Sequence, residues 1–542
     1  MTRPRSASPR LDLLHASARE GGAGPSLLIT SGDIADGDTL RTDVCIIGAG
    51  AAGISMARDL ARHGVDCILL EAGGFEATEE SQSLYAGKVT GNWLPRKQQA
   101  YLSYSRQRFF GGTTNHWAGW CRPFVEADLA RRAWLPGSGW PISLAELKPW
   151  YAAAAPILDI RPQPEPSAWS GRKRRPLSLG EDPEMVTRIY QYSTPTRFGV
   201  KYREQLVTEP RVRLVLGANV TRLVASDDGG RVDHCGVKTL DGRSYRVVAS
   251  RFVLAAGGIE NARILLLSED HNRKGLGNSH DNVGRYFCDH LETGWRVGHA
   301  GVFVALDPKL VDDLDFHAMY GERAPDPVVE GVRTLGVLAP TARACERERC
   351  LPFQFELRDL GQTDPTKAGQ ELLEFRRALY PGPRKSRDRT PPFPGVSVLN
   401  VRAVPAMTRA NRVVLTNERD ALGLPQAELR WAVQPLDRHT HRAAFGILAR
   451  TLGANGIGRI QQNMDLDAPR PFHSTQGGMH HMCTTRMSAD PRAGVVDRDC
   501  RVHGVGNLFV AGSSVFAFPG EANPTWTIVA LALRLAAHLR RA

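Results

Sequence analysis

A chain of 542 residues, 42% hydrophobic and 23% charged, is longer than one hydrophobic core needs and reads as a soluble globular protein of two or more domains. The formal net charge of +12 invites a polyanionic partner, but Lys and Arg are scattered and never form a block of five or six, so nucleic acid is not expected. Nine widely spaced cysteines without a C-x-x-C pair argue against a zinc site or a redox dithiol. The N-terminus has arginines but neither an apolar segment nor an adjacent Arg pair of an export signal. No apolar run reaches the roughly 18 residues of a membrane span. A cytoplasmic enzyme with no membrane span is the expectation.

Residues 1–34 read as an N-terminal extension, after which Asp43 to Ile47 forms an apolar strand. It runs into Gly48, Gly50 and Gly53 in a G-x-G-x-x-G pattern, then a helix ending at Gly64 and a second strand ending at Glu71. These are the dimensions of a βαβ dinucleotide unit. The first glycine makes the tight turn, the second lets the backbone approach a pyrophosphate, and the third lets helix and strand pack closely. The helix N-terminus favours phosphate charge, and Glu71 sits where an acid can hold ribose hydroxyls. The pattern alone does not separate FAD from NAD.

Further on, "GGTTNHW" from Gly111 to Trp117 places His116 in a glycine loop. The segment "FVLAAGGIENARILLLS" reads as a buried strand entering a glycine turn, with a helix from Ile259. Residues 296–395 contain Pro-rich, charged patches such as "ERAPDPVVEG" and "YPGPRKSRDRTPPFPG" and read as surface loops or a lid. Val396 to Ala406 reads as a strand and Pro435 to Gly453 as an amphipathic helix, with His439 and His441 expected to face solvent. "NLFVAGSS" is a strand ending at Gly512, and Asn523 before Pro524 reads as an N-cap followed by proline at the first helical position.

The closing blocks "GGMHHMCTTRM", "NLFVAGSSVF" and "GEANPTWTIVALALRLAAHL" resemble those of the glucose-methanol-choline (GMC) family of FAD-dependent oxidoreductases. The resemblance runs from about residue 40 to the C-terminus through "SGWPISLAELKPWY" and "RVVLTNERDALGLPQAELRWAV". It implies an α/β and α+β fold: a Rossmann-type FAD-binding domain with a discontinuous substrate domain on a large, mostly antiparallel sheet. The FAD segments would be 35–150, 205–295 and 470–542, and the substrate segments 151–204 and 296–469. Besides Gly48, Gly50, Gly53 and Glu71, it assigns Gly111, Gly112, Asn115, His116, Val220 and Gly512 to the cofactor.

For chemistry, the resemblance selects His480, in preference to the adjacent His481, as the base that takes a hydroxyl proton while hydride moves to flavin N5. Asn523 falls at the partner position, where an amide can orient the substrate oxygen. Cys483 departs from the family, which usually has glycine there. No metal is expected: in the cluster of His473, His480, His481 and Cys483 the adjacent histidines point apart, against a tetrahedral ligand set. "GGTTNHW" with "EANPTWT" is most similar to the pyranose 2-oxidase branch and related bacterial glycoside oxidases. That branch implies a sugar, glycoside or polyhydroxylated substrate, with oxygen or another electron acceptor downstream. It also makes His116 a candidate for covalent attachment to FAD, beside the alternative of a noncovalent loop histidine. A lyase of the same fold, holding FAD without net redox, is the competing function class.

Overall fold

The computed structural model describes residues 28–91, 100–162, 176–194, 196–293, 302–307, 310, 320, 328–329, 332–359, 396–462 and 475–541. The expected βαβ unit is present. Strand β1 (Thr39–Ile47) leads through the glycine turn into helix α1 (Ala51–Arg62), and the chain returns as strand β2 (Cys67–Glu71). Gly64, at φ +81°, ends the helix in the left-handed conformation that glycine tolerates best. β1 and β2 pair in parallel and are joined by strands β3 (Val212–Leu216) and β4 (Ser244–Leu254) in the order β3-β2-β1-β4. Leu28–Thr30, inside the stretch read as an extension, adds a parallel strand beyond β3.

Helix α2 (Gly257–Leu267) follows β4 directly, as the apolar run after the glycine turn predicts. The chain's last strand, β7 (Leu508–Val510), lies parallel to the end of β4, with Phe252, Val253 and Leu254 opposite Leu508, Phe509 and Val510. The end of the chain is thereby brought back to the nucleotide turn. The final helix α4 (Thr525–Arg541) packs against α1, burying Trp526, Val529, Ala530 and Leu533.

A second, ten-stranded sheet is antiparallel and recruits strands from distant parts of the chain. Strand β6 (Val396–Ala403) pairs on one side with Val302–Leu306 and on the other with Phe353–Asp359. Strand β5 (Leu291–Thr293) pairs with β6 and with Thr475–Gly477. Trp120–Cys121 also enters this sheet, against Met185–Tyr192. On β6 the period of two puts Leu399, Val401 and Ala403 into an apolar core, leaving Asn400 and Arg402 together on the opposite face. Helix α3 (Pro435–Ala454) covers the apolar side with Phe445, Ile447 and Leu448.

Two expectations are corrected. Residues 296–395 are not simply loops or a lid: Val302–Leu306, Val332–Pro340 and Phe353–Asp359 are sheet strands and Ala342–Glu348 is a helix. The run "VRTLGVLAP" is buried along Leu335–Pro340 on both faces, so it lacks the alternation that marks a half-exposed strand. "YPGPRKSRDRTPPFPG" and most of "ERAPDPVVEG" lie outside the described residues. His441 does not face solvent. It is fully buried, with Nδ1 donating to the Asp437 carbonyl at 2.8 Å, and burial holds it at about 4, whereas His439 is exposed.

Candidate active site

A cavity of about 500 Å3 extends from Gly48, Glu71 and Val220 at the nucleotide turn to Trp117, His480 and Asn523 beside the antiparallel sheet. Its first end follows from packing at the glycine turn. A Cβ on Gly48, at φ +107°, would lie 2.8 Å from the Ala255 carbonyl oxygen, and one on Gly53 only 1.9 Å from the Gly48 oxygen. Gly50 has open space around its missing Cβ and caps α1 without a side chain, so Gly48 to Ala52 present backbone to the cavity. Glu71 closes the turn: Oε2 accepts from Ala49 N at 2.9 Å and Oε1 from Gly73 N at 3.0 Å. Burial pushes its carboxyl up, against these two bonds.

The loop of Gly111 to His116 docks on the same turn. A Cβ on Gly111, at φ +96°, would fall 2.4 Å from Gly199 N, and one on Gly112 3.3 Å from Gly50 Cα. Asn115 ties the loop down by donating from Nδ2 to the Phe110 carbonyl at 2.9 Å. His116 follows the short helix Gly112–Asn115 and lines the cavity. Desolvation at the cavity wall and the Arg197 guanidinium hold its imidazole below the usual value. Val220 and Gly512 also line the cavity, whereas Gly53, Gly111 and Asn115 shape its wall from behind.

At the other end the structure brings His480 and Asn523 together, with Asn523 Nδ2 and His480 Nε2 3.3 Å apart. Arg402 Nη1 donates to Asn523 Oδ1, which fixes the amide with its NH2 toward His480. Asn523 is therefore not the helix cap: α4 begins at Thr525, its first bond is accepted by the Pro524 carbonyl, and Asn523 Oδ1 is taken by Arg402. The other face of His480 meets His290, Nδ1 to Nδ1, at 2.8 Å. His290 Nε2 lies 2.7 Å from the Gly520 carbonyl, which can only accept.

These contacts determine the tautomers. His290 must carry its proton on Nε2, so its Nδ1 is an acceptor and His480 Nδ1 is the donor. His480 Nε2 then bears a lone pair beside Asn523, at the cavity. Both rings are held neutral. Burial brings His290 down to about 3, and burial, then His290, Arg402 and His481, keeps His480 well below its ordinary value.

Backbone geometry holds His480 in place. Asp289 accepts from His480 N at 2.7 Å and Met479 N at 3.1 Å, and Tyr101 donates its hydroxyl to the same carboxylate. Met479 has φ +60°, a conformation unusual outside glycine, and Asp289 compensates for it. Burial pushes the Asp289 carboxyl up to about 7. His481, in contrast, turns into the protein, its Nε2 3.0 Å from the Tyr101 hydroxyl. Cys483, where the resemblance expects a glycine, is fully buried at φ +70°. His473 lies outside the described residues, and among those described no group of three His, Cys, Asp or Glu could hold a metal ion.

Sequence reasoning missed His290, Asp289, Glu292 and Arg402. A signal existed for each. Arg402 and Asn400 are polar residues at alternate positions of an apolar strand, and "DHLE" puts three ionisable residues just before or within a short buried one.

The family model described as GMC oxidoreductase matches residues 407–532, and that described as FAD dependent oxidoreductase matches residues 43–274. The chain is 25% identical to the fructose dehydrogenase large subunit of Gluconobacter japonicus, over 92% of this chain and 98% of that protein. It is 26% identical to the 6'''-hydroxyparomomycin C oxidase of Streptomyces lividus, over 92% of each. A crystal structure of formate oxidase superposes with a TM-score of 0.53 at 18% identity, covering 94% of this chain and 99% of that one, a likeness of fold.

Proposed function

Because the chain belongs to the GMC oxidoreductase family, we propose that it oxidises a CH–OH group of a sugar, glycoside or other polyhydroxylated molecule to a carbonyl, with FAD as cofactor. The residues present fit that cofactor. Gly50 and Gly512 leave open space where a side chain would intrude, and Ser105 Oγ and Arg108 Nε are buried polar atoms without partners among the described residues, on residues that line the cavity. Gly48 to Ala52 and Arg108 would hold the pyrophosphate, Glu71 the ribose, and Val220, His116 and Gly512 further parts of the molecule. Bound there, FAD supplies the acceptor for the hydride that leaves the carbinol carbon.

Every other part of the reaction falls to side chains. His480 Nε2, unprotonated and directed to the cavity, accepts the hydroxyl proton. Asn523 Nδ2 donates to the substrate oxygen, held in that orientation by Arg402. On protonation His480 needs no rearrangement, since its Nδ1–H already donates to His290. The observation that carries the reading is this chain of Gly520, His290, His480, Asn523 and Arg402, ending in a lone pair at the cavity. The curated relatives named above are a dehydrogenase and an oxidase, which supports redox chemistry over the lyase alternative.

The domain division given above is retained as part of this reading, with Leu291–Thr293 and Thr475–Gly477 of the FAD segments reaching into the substrate sheet. A cytoplasmic location is read from nine buried, unbridged cysteines, the pattern of a reducing compartment. Among the described residues no helix is long and apolar enough to cross a membrane. The test is anaerobic: sugars, glycosides and simple alcohols are mixed with the FAD-loaded protein, and bleaching of the flavin by at least one of them is the expected result. Bound flavin that no alcohol reduces would remove the proposal.

A further inference from the structure

Beyond the base and its amide partner, the cavity wall next to them carries a buried ion pair. Glu292, on β5, and Arg402, on β6, both line the cavity and are only 4% exposed each. The pairing is lopsided. Arg402 Nε donates to Oε1 of Glu292 at 2.8 Å and Nη2 lies 2.7 Å from the same oxygen as an ion pair, while Nη1 goes to Asn523. Both contacts thus load one carboxylate oxygen, although a guanidinium can engage both oxygens of a carboxylate in parallel. The second oxygen, Oε2, accepts from no described group, yet it is not one of the buried orphaned atoms, so it keeps an open surface.

This pair is tied to the reacting end from two sides. A Cβ built on Gly478 would lie 2.9 Å from His480 Nδ1 and 3.2 Å from Glu292 Oε1, so the base and the carboxylate flank one small residue. A single guanidinium holds both Glu292 and the Asn523 amide, so their separation is set by a rigid planar group. A molecule whose reacting oxygen sits between His480 Nε2 and Asn523 Nδ2 therefore meets an open carboxylate oxygen on the same wall.

We propose that Glu292 Oε2 is a specificity determinant that accepts a hydrogen bond from a second hydroxyl of the substrate, on a carbon near the one oxidised, so that the enzyme selects vicinal diols over simple alcohols. This rests on the oxidation reading above and names its substrate class more closely. A hydroxyl is the donor that a polyhydroxylated substrate brings to this position; because the Arg402 guanidinium is shared between Glu292 and Glu356, the latter at 3.8 Å, the amino alcohol below distinguishes a hydroxyl from an ammonium there. A buried carboxylate oxygen that meets a carbon-bound hydrogen instead of a donor loses its hydrogen bond, which is why such sites reject analogues lacking one hydroxyl.

The experiment compares trans-cyclohexane-1,2-diol, cyclohexanol and trans-2-aminocyclohexanol on the FAD-loaded protein, reading both binding, by perturbation of the flavin absorbance, and anaerobic bleaching. The diol is expected to bind about ten- to a hundredfold more tightly than cyclohexanol, the range of a hydrogen bond to a charged group. Glu292→Gln keeps an acceptor for Arg402 but turns an NH2 to the cavity, from which a hydroxyl can still accept a neutral hydrogen bond. It is expected to lower the diol preference by about fivefold or more, the difference between a charged and a neutral bond, while retaining bound FAD. Equal binding of diol and cyclohexanol in the wild type overturns the proposal without any variant, and so does a preference that is undiminished in Glu292→Gln. Tighter binding of the amino alcohol than of the diol overturns the hydroxyl assignment. A diol preference in binding with no bleaching by any of the three supports Glu292 and counts against the oxidation reading instead.

Discussion

His290 and His480 face each other through their Nδ1 atoms at 2.8 Å, and the Gly520 carbonyl on the far side of His290 sets the direction of that bond. A backbone oxygen two bonds away thus decides which nitrogen of the base is free. If this is how the site works, His480→Ala should lower flavin reduction by about 10²- to 10⁴-fold, the span of a general base. His290→Phe keeps the ring volume but removes the acceptor. It should cost about ten- to a hundredfold in kcat and alter the pH profile, with bound FAD unchanged. Stopped-flow reduction rates for His290→Phe that match the wild type across pH would rule out the tautomer argument.

Arg402 should not tolerate replacement by lysine. An ammonium group can reach one of its partners but cannot hold Glu292 and Asn523 at a fixed spacing. Arg402→Lys is expected to reduce kcat/KM by up to about a hundredfold through misplacement of the Asn523 amide. Asn523→Ala should produce a loss of the same kind. A double variant no slower than either single would show that the two act as one unit; multiplied losses would show that they act separately.

Acid should unfold the protein in a particular pH window. His290, His441 and His481 are held at about 3, about 4 and about 3, and His480 is also depressed. Their folded values lie below the unfolded value near 6.5, so the stability they contribute is present above about pH 6.5 and lost as pH falls toward 3. Asp289, Glu521 and Asp437 are raised, chiefly by burial, to about 7, about 7 and about 6. These have the opposite sign: their contribution is lost as pH rises from about 4 through those values. The two sets oppose one another between about pH 4 and 6.5, and only the histidines continue below. Urea midpoints measured from pH 3 to 8 should change little down to about pH 4.5 and then drop. A steep fall already starting at pH 6.5 would contradict this balance.

His116 can be tested for a covalent tie to the flavin. Its ring lines the cavity and is kept neutral by desolvation and by Arg197, the state in which a ring nitrogen can form a bond. With attachment through His116, acid precipitation leaves the yellow flavin in the pellet, and His116→Ala moves it to the supernatant. Release of all flavin from the wild type would establish the noncovalent alternative.

Local chemistry makes parts of the fold legible in the chain itself. The glycine spacing of Gly48, Gly50 and Gly53 reports steric conditions within a dozen residues, and the structure meets them as a 1.9 Å Cβ approach at Gly53 and an open space at Gly50. The helix over Pro435–Ala454 and the strand from Val396 are visible for the same reason, because their periodicity is written in neighbouring residues. The strands among residues 302–359 are not, since a strand buried on both faces shows no alternation. His441 misleads for a related reason: one ring nitrogen is satisfied locally by the Asp437 carbonyl, while the other lies 3.5 Å from the Thr293 hydroxyl, a partner 148 residues away that the helix periodicity does not reveal.

Linear order thus specifies the nucleotide unit, the loop that carries His116 and, through resemblance, His480 and Asn523. What those residues can do depends on how the chain packs. Two backbone atoms, Gly520 O and the Asp289-bound amide of His480, orient the base, and a guanidinium on a strand more than a hundred residues away orients its partner. Tautomers and amide orientations follow from which acceptor lies at hydrogen-bond distance, and strand pairing between Leu291–Thr293, Val396–Ala403 and Thr475–Gly477 sets those distances. No spacing along a chain encodes that pairing directly, because its partners meet only when the sheet closes.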